Sequence, residues 1–315
     1  VFGATLAQSR KRATLALCAI GAMTGCGGRL AAFTTAEGGA PHGLPEADAE
    51  GAAAPDAAVL CPADVIYLAV SANPALDAAA TVLETYSPAT GAITPLGPPL
   101  DCQNAYPGGT VTALAVDRAG AVYVCMDNSA ILRLNLATMA CERTSATPTW
   151  GQPWGFAFAS QAGATERLFG VFRDVDADQG FSDTFGVLDL DAGTARTIAL
   201  APVMSGLAGS ADGAAFGLST VGPLTDLVRV DVTNGSVTAE ATLTAPGGYA
   251  FFQNRSQPLA FWGGDIFTFP WQIVSVDAVS LSGVLRVRPS DASMVSITPL
   301  DVRVLAANAS SCNAP

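Results

Sequence analysis

The chain has 315 residues, of which 50% are hydrophobic and 13% charged, with a formal net charge of -12. That length and apolar content are enough for one large core or two ordinary ones. The acidic surplus excludes the electrostatic footprint that DNA, RNA or anionic headgroups require, so no nucleic-acid partner is expected.

Arg10, Lys11 and Arg12 open the chain's first signal, followed by an apolar run from Ala13 to Met23 and the close Met23-Thr24-Gly25-Cys26. The run is too short to cross a bilayer as an ordinary helix and has the layout of an export signal over residues 1–25. Its ending resembles a bacterial lipobox, whose cysteine takes a diacylglycerol, although Met23 stands where leucine is more usual. On that reading Cys26 becomes the acylated first residue of a lipoprotein, held by two or three acyl chains where one would anchor only marginally. Ordinary cleavage nearby is the alternative, and either route exports the protein. Gly27, in place of an aspartate, points to the outer membrane or cell surface, with lipid as the protein's only contact with the membrane.

Residues 26–60 are rich in Ala, Gly, Pro and acids and read as a flexible linker, because they offer too little apolar surface to offset the entropy of ordering them. The only lysine, Lys11, leaves with the signal, and the only histidine, His42, lies in the linker. A histidine-based nucleophilic apparatus or a histidine-ligated zinc site is therefore not expected in the domain that follows. Any enzyme chemistry there falls to carboxylates, tyrosines, arginines or calcium.

From residue 61 to 315 a weak repeat runs along the chain. Five segments share two alternating apolar runs around a short turn: "LETYSPATGAITPL", "LRLNLATMACERT", "GVLDLDAGTARTIAL", "VRVDVTNGSVTAEATL" and "LRVRPSDASMVSITPL". Aligned on the turn, the equivalent positions are Gly91, Met139, Gly193, Gly235 and Ala292, spaced 48, 54, 42 and 57 residues apart. Earlier alternating pairs such as "VTALAVDRAGAVYVCM" precede most of them, which makes four strands per repeat. Period-two alternation with Gly, Asn, Asp or Pro at the breaks predicts an all-β domain, and the spacing predicts a β-propeller of four-stranded blades. Five blades are visible, and the long fifth segment leaves room for six or more. A sandwich or two small β-domains are the rival architectures. The segment "DVRVLAANASSC" is expected to return to the first repeat near "DVIYLAV" and close the ring, removing two exposed edges.

Two features of the domain carry candidate chemistry. In "RDVDADQGFSD" (173–183), Asp174, Asp176 and Asp178 stand at alternate positions in a loop between two strands. Alternate aspartates can turn several carboxylates onto a calcium ion, with Asp183 as a further ligand. The match with a helix-loop-helix calcium site is imperfect, because Gln179 occupies the sharp-turn position and Phe185 the twelfth. A solvated acidic turn is the alternative reading. The second feature is aromatic: Trp154 before the third repeat, and Trp262 and Trp271 around Asp265 in the fifth, could line a sugar or peptide pocket. Blade-to-blade packing would use the same residues.

Excluding Cys18 and Cys26 leaves five cysteines, an odd number that suits an oxidising compartment with one thiol left over. Cys61 with Cys312 would lock the ring. Cys102 with Cys141 is the preferred second pair, with Cys125 to Cys141 as its rival. The order "CQNAYPGGTVTALAVDRAGAVYVCMDNSAILRLNLATMAC", "WGFAFASQAGATERLFGV", "SGLAGSADGAAFGL" resembles a group of secreted and lipid-anchored propeller-like proteins of myxobacteria and related bacteria. That resemblance implies a fold and an exported location, but no substrate or catalytic residues. Two functions follow as expectations: a monomeric surface propeller that binds or scaffolds a protein or glycan, or a carboxylate-based hydrolase or lyase of extracellular polymers, with calcium as the one cofactor in view.

Overall fold

The computed structural model describes residues 64–311, apart from 74–79, 103–104, 108, 161–164, 175–181, 202, 220–223, 246, 252–255 and 273–280. The signal, the linker, Cys26, Cys61 and Cys312 lie outside the described residues, as do Asp176 and Asp178.

Among the described residues there is no helix. In chain order, blade 1 takes β1 (Ile66–Ser71), β2 (Thr81–Tyr86) and β3 (Ile93–Pro95). Blade 2 is β4 (Val111–Val116), β5 (Val122–Met126), β6 (Ile131–Asn135) and β7 (Ala140–Arg143). Blade 3 is β8 (Gln152–Ser160), β9 (Glu166–Asp174), β10 (Ser182–Asp189) and β11 (Thr194–Ala201). Blade 4 is β12 (Met204–Gly209), β13 (Ala214–Ser219), β14 (Thr225–Asp231) and β15 (Val237–Leu243). A two-stranded piece, β16 (Tyr249–Ala250) with β19 (Trp271–Gln272), accompanies blade 5, which is β17 (Leu259–Trp262), β18 (Asp265–Thr268), β20 (Gly283–Arg288) and β21 (Ser293–Pro299). Thus the extra pairing in the long fifth segment belongs to this small appendage, and the four-stranded sheets number five.

The last strand, β22 (Val304–Asn308), pairs antiparallel with β1, from Tyr67 opposite Asn308 to Val70 opposite Val304, and completes blade 1. The expected ring closure is therefore present. Five blades need five seams, and five apolar clusters fill them. Leu83 and Val124 meet between blades 1 and 2, Cys125 and Phe156 between 2 and 3, and Phe185 and Val228 between 3 and 4. Phe216 and Leu285 meet between 4 and 5, and Phe267 and Leu68 between 5 and 1. Each blade is apolar on both faces because each is sandwiched, which is why strands near the axis such as β12, the innermost of blade 4, and β1, the second of blade 1, are buried throughout rather than alternately.

The sequence register at the turns is kept as well. Gly91, Met139, Gly193, Gly235 and Ala292 all have positive φ, between 58° and 74°. Each closes the hairpin between the third and fourth strands of its blade. The preceding turns bond alike: the amides of Gly91, Met139 and Gly235 donate to the carbonyls of Ser87, Asn135 and Asp231 at 2.8, 2.7 and 2.7 Å. The side chains of Asn135, Asp189 and Asp231 accept amides two residues on, which is why Asn and Asp recur at that point in the repeat.

At the axis the five inner strands come close enough to leave almost no channel. A Cβ on Gly155 would stand 2.5 Å from the backbone of Gly206. Asn308 fills the centre, donating its side-chain amide to the carbonyls of Phe156 at 2.8 Å and Leu207 at 3.1 Å, so one residue of blade 1 joins blades 3 and 4.

Candidate functional site at the mouth of the axis

The same axis opens at the end where β4, β8, β17 and β22 begin. There a cavity of about 290 Å³ is lined by residues at or just before the starts of β4, β8 and β22, by Ser256 ahead of β17, by Asp127 from the β5–β6 turn, and by Trp271. The strands converge because they are innermost, so residues from 110 to 305 in the sequence meet within one small volume.

Two tryptophans are the largest apolar side chains of the wall, beside Val111, Pro153 and Leu305, and each is held in place. Trp154 carries the Arg173 guanidinium over its ring at 3.3 Å, and its carbonyl accepts the Ser256 hydroxyl at 2.8 Å. Trp271 donates its indole N–H to the Val304 carbonyl at 2.9 Å and lies under the Arg303 guanidinium at 4.3 Å. Beneath Trp154 sits a buried ion pair: Arg173 Nε and a terminal nitrogen reach the two Asp183 oxygens at 2.8 and 3.0 Å, with side-chain exposures of 1% and 0%. Asp183 also accepts the Met204 amide at 2.6 Å, which fastens blade 3 to the first strand of blade 4. Charges this deep are tolerated only with partners of this quality.

The polar wall is ordered too. Thr110 Oγ1 donates to Asp127 Oδ2 at 3.2 Å, and Thr112 Oγ1 donates to the Cys125 carbonyl at 3.2 Å. Gln152 is exposed at the rim. The cavity thus combines fixed rings, hydroxyls with fixed proton directions, one carboxylate and one guanidinium. That arrangement can bind and orient a small ligand.

The residues singled out from the sequence divide across the molecule. Trp154 and Trp271 come together in this cavity. Trp262 packs edge-on against Phe267 at the far end of β17, and Asp265, beside it in the hairpin, is ion-paired with Arg286 and Arg288. Asp174 ends β9 and Asp183 lies inside β10, directly opposite Arg173, so the expected loop from 174 to 183 is shorter than its acidic spacing implied. Strand pairing draws Asp183 inward, and both of its oxygens are engaged there. Among the described residues no group of three or more His, Cys, Asp or Glu side chains gathers as a metal-ligand set. Cys102 and Cys141 are disulfide-bonded, and Cys125 is a free, buried thiol whose pKa burial pushes well up. The bridge lies beside a parallel bridge of Asp101 to Ala140, which covers part of the outer edge of blade 2.

Arg303, Asp127, Thr110 and the Arg173–Asp183 pair were not singled out from the sequence. The pair had a readable sign: opposite charges on the two sides of one hairpin loop. Arg303 and Asp127 had none, since only ring closure makes them neighbours.

No protein-family model matches the chain, and no curated protein matches it. Among solved structures it is similar to a chain of a nidogen–laminin complex, at 10% identity and a TM-score of 0.46, covering 78% of this chain and 97% of that one. It is also similar to TolB from Acinetobacter baumannii, at 12% identity and a TM-score of 0.44, covering 79% and 68%. An oligogalacturonate lyase in complex with manganese matches at 12% identity and a TM-score of 0.37, covering 70% and 59%. The protein is a β-propeller with five four-stranded blades.

Proposed function

We propose that the protein is a lipid-anchored surface propeller, held at the outer membrane or cell surface through Cys26, that binds a ligand at the mouth of its axis. The observation that carries this reading is the mouth itself, where two immobilised tryptophans face hydroxyls, Asp127 and Arg303 in a cavity open at one end of the axis. Binding is favoured over polymer hydrolysis because Asp127 is the single carboxylate among the described residues of this cavity. Glycoside hydrolysis in its usual form needs two carboxyl groups across the scissile bond. The oxidising setting required of a secreted domain agrees with the Cys102–Cys141 disulfide.

Two measurements test the reading. Growth with labelled palmitate should mark the wild type in the membrane fraction, and Cys26→Ser should abolish both label and anchoring. A photo-crosslinking residue in place of Gln152, at the rim, should capture a partner in intact cells, whereas one in place of the exposed Leu200 on an outer strand should not. Absence of any adduct at 152 would remove the mouth as the binding site.

A further inference from the structure

The geometry points to a neutral, hydroxyl-rich ligand, a short saccharide, as the occupant of the mouth; this rests on the binding reading above and narrows it to a chemical class. The argument starts from where the protons already are. Thr112 Oγ1 donates to a backbone carbonyl, as does Ser256 Oγ, and Thr110 Oγ1 donates to a carboxylate. A carbonyl or carboxylate can only accept, so each of the three hydroxyls must donate to the protein. What they retain for a ligand is lone pairs, and Asp127 adds more of the same.

A ligand seated among four acceptors must bring hydrogen-bond donors. Carboxylates and phosphates, acceptors at neutral pH, would suit the Arg303 guanidinium in the same wall but leave these four acceptors unanswered, and the chain's net charge of -12 repels them at longer range. Ammonium and guanidinium ligands would bring donors, but they would meet Arg303 in the same wall. Asp127 and Arg303 supply one charge of each sign, which leaves no net preference for a charged guest. Donor groups without charge are hydroxyls. The wall also holds Trp154, Trp271 and Leu305, so the ligand needs an apolar face as well as O–H edges, a combination that sugar rings present. Gln152, with both an amide donor and a carbonyl acceptor at the rim, suits a hydroxyl pair.

Size favours a short saccharide, and topology weighs against a peptide bound by strand addition. A volume of about 290 Å³ lies at the small end of ligand cavities and suits one or two sugar rings. Peptides that bind by extending a sheet need an open strand edge. At the mouth the first residues belong to inner strands that pair outward with the second strands of their blades and pack against one another at the axis.

The test uses the exported chain and a panel of neutral mono- and disaccharides, with glucuronate and glucosamine as charged counterparts, read by tryptophan fluorescence and saturation-transfer NMR. Saturable binding of at least one neutral sugar, at affinities on the order of millimolar or tighter, is expected. Its charged counterpart should bind more weakly. Gln152→Ala, at an exposed rim position, and Asp127→Ala should each weaken binding about tenfold, the effect of losing one good hydrogen bond, with melting of Gln152→Ala unchanged. No neutral sugar binding, or binding that ignores Gln152→Ala, overturns the inference. If the crosslinker at 152 then still captures a protein, the saccharide inference fails while the binding reading stands; if it captures nothing, both fail.

Discussion

Five residues occupy one backbone conformation that only three of them suit. Gly91, Gly193 and Gly235 adopt positive φ without a side-chain penalty, whereas Met139 and Ala292 carry a Cβ into the left-handed region. Met139 is buried and packs its side chain against Gly97, which offsets part of the strain; Ala292 is exposed and gains nothing comparable. Ala292→Gly should therefore raise stability by about 1 kcal/mol, measured by urea unfolding. Gly91→Ala, where a Cβ would meet nothing within 4 Å, should lower it by about the same amount through φ alone. Glu84 is the other residue at odds with its surroundings. It lies in the middle of β2, 9% exposed, with one carboxylate oxygen buried and unpartnered, and burial raises its pKa above the ordinary glutamate value. A carboxyl with a raised folded-state pKa binds its proton more tightly in the native state. Stability is then lost as pH rises from the unfolded value through the folded one. Glu84→Gln should raise the melting temperature at pH 7, and the gain should shrink towards zero near pH 4. A gain that persists unchanged at pH 4 would show that ionisation is not the cause.

At the scale of the strand, blade 3 shows how local patterns and distant contacts divide the work of specifying a fold. Period-two alternation and the recurring Asp or Asn turn are local, so the strand pairs and the equivalence of the five turns are legible in the order of amino acids alone. The hairpin of β9 and β10 is legible in outline, but its acidic spacing points to metal while strand register gives Asp183 to Arg173. Only the pairing of positions across the hairpin, a matter of where the strands end, separates the two outcomes. Breaking that pair should be severe, since removing one partner leaves the other charged and buried. Asp183→Asn is expected to cost about 3 to 5 kcal/mol. The double replacement Arg173→Met with Asp183→Leu should recover a large part of that, though the Met204 amide would remain without its acceptor. Because Arg173 lies on Trp154, Asp183→Asn should also shift tryptophan fluorescence in the folded state, a readout that distant destabilising changes would not produce. For the loop between these strands, a calcium ion held by Asp174, Asp176 and Asp178 would raise the melting temperature in millimolar calcium relative to chelator. Asp176→Asn would abolish that rise.

Closure of the whole ring makes both the fold and the mouth, and it depends on contacts across the longest sequence separations. The mouth is only half legible in the sequence for this reason: the tryptophans draw notice as large aromatics, but Arg303 and Asp127 become neighbours only after β22 returns to blade 1. The closure is tied at three levels. β22 pairs with β1, the following residues fasten to blade 2 through the parallel bridge of Val116 with Ser310 and the bond from Ser310 Oγ to the Asp117 carbonyl, and Ser311 donates to Glu166 of blade 3. Glu166 also accepts the Arg118 amide at 2.8 Å, so one carboxylate spans the turn of blade 2, blade 3 and the chain's return. Asn308 then joins the centre, and its removal isolates closure from strand pairing, because its backbone role in β22 would persist in an alanine. Asn308→Ala leaves the buried carbonyls of Phe156 and Leu207 without their donor, and the expected loss is about 2 to 4 kcal/mol. If blades 3 and 4 depend on the return of β22 for their place in the ring, urea unfolding of this variant should stay a single transition with a lower midpoint and an unchanged slope. A split transition, with the seam between blades 5 and 1 opening first, would show instead that the ring can open while its individual blades remain folded.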